Sequence, residues 1–113
     1  DMYVEGLERA LKNVTTEVWL SYWVHSKDSL QRIIKASANA KRISIRRSKL
    51  DLDSELDFSG PEYKTTYLNL AYCGDYAKDD WSRCPEKLII LLNAVSESKL
   101  KNSLNTINMY ECG

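Results

Sequence analysis

LNTINMYECG, residues 104–113, contains a short pattern that recurs along this chain. An earlier stretch, YLNLAYCG at residues 67–74, ends in the same way: two apolar residues two apart, a cysteine three further on, and then glycine. Two other segments repeat this pattern more loosely. The first apolar residue of each pair is, in chain order, Val18, Ile43, Leu68 and Ile107. The first three are 25 residues apart and the last step is 39, and equal steps of this length are typical of a structural unit that recurs along a chain.

Each copy of this pattern predicts one short parallel strand followed by a sharp turn. Apolar residues two apart share one face of a strand, so we expect each pair to point into a common core. The residue at the end of the pattern is expected inside the turn, beside backbone groups that need hydrogen-bond partners. In chain order that residue is Trp23, Ser48, Cys73 and Cys112. Glycine follows the two cysteines, at Gly74 and Gly113, and we expect it to permit the turn.

Helices are predicted between the strands. The first covers residues 2–14, with an apolar stripe formed by Val4, Leu7, Leu11 and Val14. The second begins after Ser26, a suitable N-cap, and closes at Asn39 in a left-handed conformation. The third runs from about Pro85 to Ser96, and its run LIILLNAV is apolar nearly all round, which predicts a well-buried helix. Residues 50–64, LDLDSELDFSGPEYK, predict a loop whose leucines fold back onto the core.

Five blocks of the chain carry a resemblance to a known superfamily. They are EVWLSYW, AKRISIRRSKLDLDSELDF, YLNLAYCG, the W-x-x-C-P-E start of the third helix, and LKNSLNTINMYECG. With a step of about 20 to 29 residues and the pattern L-x-x-L-x-L-x-x-N/C, the chain resembles the leucine-rich-repeat superfamily, especially its helix-containing, ribonuclease-inhibitor-like kind. Across nearly its whole length it also resembles the divergent leucine-rich-repeat-like proteins of ciliated protists. The resemblance implies an α/β fold, a leucine-rich-repeat-like stack of short parallel strands backed by helices. The 39-residue step and the residues other than leucine at the first place depart from the family pattern.

Length, charge and cysteine content limit the classes of protein to which this chain can belong. A chain of 113 residues with 43% apolar residues is enough for one domain with a modest core, and since it starts at Asp1 rather than Met, we expect residues 1–113 to be a segment of a longer repeat protein. Sixteen basic residues balance sixteen acidic ones, so no overall field attracts nucleic acid or an anionic membrane. The longest apolar run, Leu88–Leu92, is too short to span a bilayer. Three cysteines are an odd, sparse set, which predicts reduced thiols and a cytoplasmic, intracellular location.

No set of residues in the sequence predicts catalysis, a cofactor or a metal site. Asp51, Asp53, Glu55 and Glu62 match calcium-loop positions, yet Leu56 stands where such a loop needs glycine. His25 is the only histidine, and no two cysteines have C-x-x-C spacing. The four glycines are scattered and form no phosphate-binding loop. We therefore expect a protein that is not an enzyme and holds no cofactor, and we keep calcium binding as a less favoured alternative.

The residues between the apolar ones are expected to project from the open face of the sheet. Among them are Trp, Tyr and Arg side chains, which are the types that dominate protein-binding hot spots. The predicted partner-binding residues are Trp19, Tyr22, Arg42, Arg46, Arg47, Tyr67, Tyr72 and Tyr110. The plainer interpretation is that aromatic residues suit strands and merely cover the sheet. We favour a binding face because aromatic and arginine residues are interleaved across adjacent strands.

Basic residues are concentrated in the second predicted strand, KRISIRRSK at residues 41–49. A nucleic-acid site would need further basic strands beside this one. The neighbouring strands instead offer Glu17 and Glu111, and a run of acidic residues follows at once. The pattern therefore favours a solvated strand face with local ion pairs over a nucleic-acid site.

These features predict a non-enzymatic interaction or scaffold module that binds a protein partner through its exposed parallel-sheet face. Stacking on the aromatic rings and arginine–carboxylate pairs would hold the partner. One alternative is a structural subunit of a large assembly, cytoskeletal or ciliary, held by its open ends; another is a calcium- or nucleic-acid-binding module. The N-terminal helix is expected to cap the first strand. We expect the C-terminal edge, at the fourth strand, to be covered by another chain or by further repeats.

Overall fold

The computed structural model describes residues 2–112 of the chain. Within that range the helices are α1 Met2–Leu11, α2 Lys27–Ala36, α3 Pro85–Ser96 and α4 Leu100–Ser103. The strands are β1 Glu17–Trp19, β2 Val24–Ser26, β3 Arg42–Ser44, β4 Lys49–Asp51, β5 Tyr67–Asn69, β6 Gly74–Asp75 and β7 Thr106–Asn108.

The first sheet contains β1, β3, β5 and β7 in that order, and all its strands are parallel. Val18 lies opposite Ile43, Ile43 opposite Leu68, and Leu68 opposite Ile107. This is the register that the sequence steps predict, including the step of 39 residues. Parallel neighbours need a crossover between them, and helices or irregular segments supply it here. The predicted α/β stack of parallel strands backed by helices is confirmed.

A second sheet, β2–β4–β6, is formed just after the turns and is also parallel. The sequence does not predict it, because its strands carry no repeated apolar pair of the kind that marks the first sheet. It nevertheless keeps the same step, since His25 lies opposite Leu50 and Leu50 opposite Asp75. Successive strands, from β1 to β7, thus alternate between the two sheets.

The core is formed by inward side chains of both sheets together with α2 and α3. Its fully buried members include Leu30, Ile43, Leu50, Leu68 and Leu91. A second cluster joins Leu11 of α1 and Ile33 of α2 to Val18 of β1 and to Leu20, which follows that strand. Helix α1 therefore covers the side of the first strand, as predicted.

Residues 52–66 have no regular secondary structure but complete the core between β4 and β5. Leu52, Leu56 and Phe58 are buried, and the Tyr63 hydroxyl donates to the Phe58 carbonyl at 2.6 Å. Burial raises the pKa of Tyr63, so its hydroxyl stays protonated and able to donate. The predicted folding back of this loop is confirmed, and the loop stands where a helix would otherwise back the sheet.

The predicted start of α2 is confirmed, but its predicted end is wrong. Ser26 Oγ accepts a hydrogen bond from the Ser29 N–H at 3.3 Å, as an N-cap should. The helix ends at Ala36, and Asn39 is not in a left-handed conformation. Its side-chain amide instead donates to the Lys12 carbonyl at 3.1 Å, which ties the loop to the end of α1.

Helix α3 is buried along one side only, which corrects the prediction of a well-buried helix. Leu91, Ala94 and Val95 are buried, whereas Ile89 is 57% exposed. The helix has one neighbouring layer to pack against among the described residues, so an apolar residue on its far side remains exposed whatever its type.

Candidate binding surface

Each strand of the first sheet leads into a turn through a residue with left-handed backbone. These residues are Tyr22 (φ 62°), Arg47 (φ 59°), Tyr72 (φ 60°) and Glu111 (φ 56°). Each lies four places after the residue that sets the register of its strand. None is glycine, although a left-handed conformation costs other residues roughly 1–2 kcal/mol. The same backbone conformation therefore recurs in all four turns with a bulky or charged side chain.

The prediction that glycine permits these turns is wrong. Gly74 begins β6 without a left-handed backbone, and Gly113 lies outside the described residues. Close packing explains Gly74 better. A Cβ at this position would lie 3.2 Å from Cε3 of Trp81 and 3.4 Å from Cδ of Lys49.

Side-chain oxygens at the strand ends support the bend. Asn69 Oδ1 accepts from the Ala71 N–H at 3.0 Å, and Asn108 Oδ1 accepts from the Tyr110 N–H at 3.1 Å. Such local bonds give the N–H groups of the turn a partner on their own segment. Asparagine is therefore suited to the last residue of both strands.

The residue after the left-handed position is buried in the second, third and fourth turns, as predicted, whereas Trp23 in the first turn is only half-buried. Ser48 Oγ donates to the Leu20 carbonyl at 3.2 Å, and Cys73 Sγ donates to the Ile45 carbonyl at 3.2 Å. Both carbonyls occupy the same place in the preceding unit. A small donor is needed here because each buried carbonyl needs a partner.

All three cysteines are free, fully buried thiols that lie together. Cys84 Sγ is 3.5 Å from the Cys73 carbonyl oxygen and 3.6 Å from that of Cys112. The hydrogen bond between Cys73 and Cys112 lowers the pKa of Cys73 and raises the pKa of Cys112 to about 11. Hydrogen bonding to Cys112 and burial raise the pKa of Cys84. The cluster fills the core below the turns and is closed to solvent.

Arginine and tyrosine side chains stack on one another across the outer face of the first sheet. The Arg42 guanidinium lies 5.4 Å from the centre of the Tyr67 ring, on the neighbouring strand. Arg46 and Arg47 lie 5.4 Å and 4.9 Å from the centre of the Tyr72 ring. Tyr72 in turn meets Tyr110 edge-on, with ring centres 5.5 Å apart. Six of the eight predicted site residues thus belong to two stacked groups.

The two remaining predicted residues belong to the first strand and its turn. Trp19 is 65% exposed, and its indole N–H donates to Ser21 Oγ. Tyr22 is 77% exposed and lies beside Arg47 and Tyr72 in a shared pocket. The expectation that every residue between the apolar ones projects outward needs one correction: Ser44 and Ala71 are buried. Their side chains are small and lie among larger neighbours.

The arginines of the outer face have no carboxylate partner among residues 2–112. The predicted local ion pairs with Glu17 and Glu111 do not form in that part of the chain. Glu111 instead pairs with Arg83 at 3.1 Å, between exposed side chains. The guanidinium groups of Arg42, Arg46 and Arg47 are therefore held by rings and left available for an external acid.

Trp81 is a site residue that sequence reasoning missed. It lines a pocket of about 420 Å³ together with Tyr22, Arg47, Tyr72 and Glu111. The Lys49 ammonium lies 4.4 Å from the centre of its ring. The only signal in the sequence is its place in W-x-x-C-P-E, three residues before buried Cys84. This pocket collects all four left-handed residues, so the turns and the aromatic face form one continuous surface.

Residues 2–112 were also compared with the requirements of a metal site and of a membrane-spanning helix. Within them no group of three or more His, Cys, Asp or Glu side chains is arranged to hold a metal ion, the three buried thiols included. Glu62, one of the residues that match a calcium loop, pairs with Lys99 at 2.6 Å. None of the helices in this part of the chain has the length and apolar character needed to cross a membrane.

Comparisons of the chain with protein-family models, with curated proteins and with solved structures found no match. A function is therefore inferred from the surface itself.

Proposed function

We propose that the chain is a non-enzymatic interaction module that binds an acidic protein partner through the open face of its first sheet. The observation that carries the proposal is the set of three guanidinium groups, Arg42, Arg46 and Arg47, which stack on tyrosine rings and lack a carboxylate among the described residues. Ordered cations without an internal counter-charge favour a partner that supplies one.

Stacking prepares these arginines for binding. A guanidinium that lies over a ring loses part of its conformational freedom before the partner arrives, while its N–H groups stay free for two parallel bonds to a carboxylate. One exposed ion pair is worth only about 0.2–1 kcal/mol. Several such pairs enclosed together by aromatic rings form a hot spot, because the rings exclude water from them.

The leucine-rich-repeat resemblance supports the same proposal by analogy only, since a fold does not fix a function. The buried, reduced thiols support a protein that works inside the cell, where disulfides are rare. We therefore include an intracellular location in the proposal.

The proposal is tested by combining Arg46→Glu with Tyr72→Ala. Both side chains project from the outer face rather than into the core, so we expect the free energy of unfolding to change by no more than about 1 kcal/mol. Affinity purification from a native extract, with quantitative mass spectrometry, should show that the double variant loses the proteins retained by the unaltered chain.

The matched control combines Lys12→Glu with Tyr76→Ala. It makes the same change of charge and aromatic content at two exposed positions away from this face. The control should retain the same proteins as the unaltered chain. If the Arg46→Glu and Tyr72→Ala variant is folded and retains them as well, the outer face is not the binding site.

A second candidate function, a structural subunit held by its ends, is favoured by the surface beside β7. This strand pairs with β5 alone among the described residues, so its other backbone edge is unpaired there. Next to it Leu92, Leu104 and Ile107 line an apolar pocket of about 360 Å³. An exposed edge beside apolar side chains is suited to pairing with another strand, either of a second chain or of a further repeat.

Light scattering over a dilution series tests this second candidate. The chain should associate as its concentration rises, and Asn105→Lys with Thr106→Lys should prevent association, since lysine on an edge opposes strand pairing. Both positions are exposed, so the fold should persist. A chain that remains monomeric at high concentration contradicts the candidate.

A further inference from the structure

The pocket formed by Tyr22, Arg47, Tyr72, Trp81 and Glu111, here called the turn pocket, lies where the outer face meets the turns. Its volume of about 420 Å³ falls within the range typical of ligand sites, about 300–1,000 Å³. Three of its five walls are aromatic. This is a concave, mostly apolar surface with one charge of each sign at its rim.

Trp81 is held from two sides by residues of its own chain. Its ring packs against Gly74, where even a methyl group would come within 3.2 Å. On the Lys49 side the ammonium lies 4.4 Å from the ring centre, and the same ammonium donates to the carbonyls of Lys78 at 3.0 Å and Asp80 at 2.5 Å. These bonds anchor the loop that carries Trp81. A rigid aromatic wall loses little freedom on binding, which favours affinity.

The remaining walls occupy the left-handed positions of the turns. A glycine at such a position would avoid the conformational cost, yet tyrosine, arginine and glutamate are found there. Residues held in unfavourable backbone conformations gather at binding sites, because the surrounding structure imposes the conformation and the side chain is needed. All four of them line this one pocket.

The charges around the turn pocket decide the sign of the ligand. Glu111 is already paired with Arg83 at 3.1 Å, whereas Arg47 has no carboxylate partner among residues 2–112. Arg46 shares the Tyr72 ring with Arg47, which places a second guanidinium nearby. A cation inside the aromatic walls would therefore meet two unpaired positive charges. An acid beside the pocket would meet two partners.

We propose that the turn pocket receives one aromatic side chain from an acidic segment of the protein partner, whose carboxylates pair with Arg46 and Arg47. The inference rests on the proposed function and adds the kind of sequence that the partner presents. Edge-on and offset contacts with Tyr22, Tyr72 and Trp81 would hold the ring. The flanking acids would keep the segment on the outer face.

The experiment uses blocked synthetic peptides and the indole N–H signals of the chain. The probe is Asp-Glu-Phe-Asp-Glu. Asp-Glu-Ala-Asp-Glu is the control that lacks the aromatic ring, and Lys-Lys-Phe-Lys-Lys is the control with reversed charge. Binding of the first peptide should shift the indole signal of Trp81 and leave that of half-buried Trp23 unchanged. The alanine peptide should bind at least about tenfold more weakly, because the ring supplies most of the buried apolar surface.

Variants of the pocket separate this inference from the proposed function. Trp81→Ala should lower the affinity for the Phe peptide at least about tenfold, and Trp81→Phe should restore most of that affinity. Trp81 is 54% exposed, so circular dichroism should show both variants folded. The inference is overturned if the Phe and Ala peptides bind alike, if the lysine peptide binds more tightly, or if no acidic peptide binds. Any of these results leaves the proposed function standing as long as the extract experiment with Arg46→Glu and Tyr72→Ala succeeds.

Discussion

The two faces of the four-stranded sheet follow different rules. On the inner face the same kind of residue recurs at each register position, from Val18 through Ile43 and Leu68 to Ile107. On the outer face the adjacent register positions hold Glu17, Arg42, Tyr67 and Thr106, which share neither charge nor shape. Packing against a fixed core demands uniform apolar residues, because a change of even one methylene is felt there. Where packing makes no demand, the residue types are free to reflect a partner.

The same contrast exists between neighbouring residues of each turn. In the second and third turns the inner residue is a small hydrogen-bond donor, Ser48 or Cys73, bonded to a carbonyl of the preceding unit. The residue just before it is left-handed and lines the turn pocket. The inner residue therefore stabilises the fold, and the residue before it forms part of the binding surface.

Thiol reactivity should separate the inner from the outer positions most strongly. Cys73, Cys84 and Cys112 are fully buried, so an alkylating reagent reaches them only when the structure opens. With an opening cost of about 5 kcal/mol, alkylation should be slowed by roughly 10³-fold or more. Thr106→Cys adds a thiol on the exposed outer face as the control, and that thiol should react at the rate of an unfolded peptide.

Mass spectrometry of the alkylated chain reads out this experiment. After unfolding without reductant, all three natural cysteines should be modified. A native cysteine that reacts as fast as the introduced one would show that the inner positions are open. A mass lower by about two hydrogens would reveal a disulfide and contradict the assignment of free thiols.

Alanine substitutions at neighbouring residues of β3 should show the next largest difference. Ile43 is fully buried, and Ile43→Ala should lower the free energy of unfolding by about 2–5 kcal/mol through lost burial and an unfilled cavity. Arg42 is exposed and stacks on Tyr67, so Arg42→Ala should cost no more than about 1 kcal/mol. Urea denaturation measures both. Similar losses in the two variants would mean that the faces of the sheet are wrongly assigned.

The inner face could be predicted from the sequence because its demands repeat. The step of 25 residues between apolar positions carries the register of the first sheet, and the helix start at Ser26 follows from local capping. The second sheet could not be predicted, since its aligned positions hold His25, Leu50 and Asp75 rather than one kind of residue.

The candidate site was only partly predictable for a related reason. Alternation indicates which residues point outward, and six of the eight predicted partner-binding residues stack on one another. Trp81 lies outside any strand, and its position is determined by Lys49 and Gly74, which are distant in sequence. Sequence reasoning predicts glycine at the turns because glycine adopts left-handed conformations without cost. Tertiary structure overrides that preference at Tyr22, Arg47, Tyr72 and Glu111.

A pH titration should test His25, a buried group of the inner region whose ordinary pKa lies near neutral pH. His25 is fully buried, its Nε2 lies 3.3 Å from the Leu20 carbonyl, and Nδ1 has no partner among the described residues. Burial lowers the pKa of His25 below its ordinary value of 6.5. The unfolded chain therefore binds this proton first as pH falls. Stability should be fully present above the unfolded pKa and decline as pH falls through about 6.5 towards the lowered folded value.

The expected loss is about 1.4 kcal/mol for each unit by which folding lowers the pKa of His25. Urea denaturation from about pH 7.5 to about pH 5.5 measures it, above the range in which most carboxylates titrate. His25→Leu is the control, since the neighbouring position on β4 already holds Leu50. That variant should show no decline over this interval. A decline of the same size in both chains would assign it to other groups.

The smallest effect concerns the left-handed position of the first turn. Tyr22 is 77% exposed with φ 62°, so Tyr22→Gly removes a conformational cost of roughly 1 kcal/mol or more and little packing. Glycine also gives the unfolded chain more freedom, which costs roughly 0.5–1 kcal/mol. The two contributions nearly cancel, and the free energy of unfolding should stay constant or rise by a few tenths of a kcal/mol.

Glu17→Gly is the matched control for this variant, because Glu17 is exposed on β1 without left-handed backbone. There glycine relieves no strain, so stability should fall by roughly 0.5–1 kcal/mol. Equal losses in the two variants, measured by urea denaturation, would contradict a strained turn at Tyr22. If Tyr22→Gly is neutral for stability but weakens binding of the Phe peptide, the strained conformation contributes nothing to the fold. Tyrosine at this position would then be explained by the wall that it gives to the turn pocket.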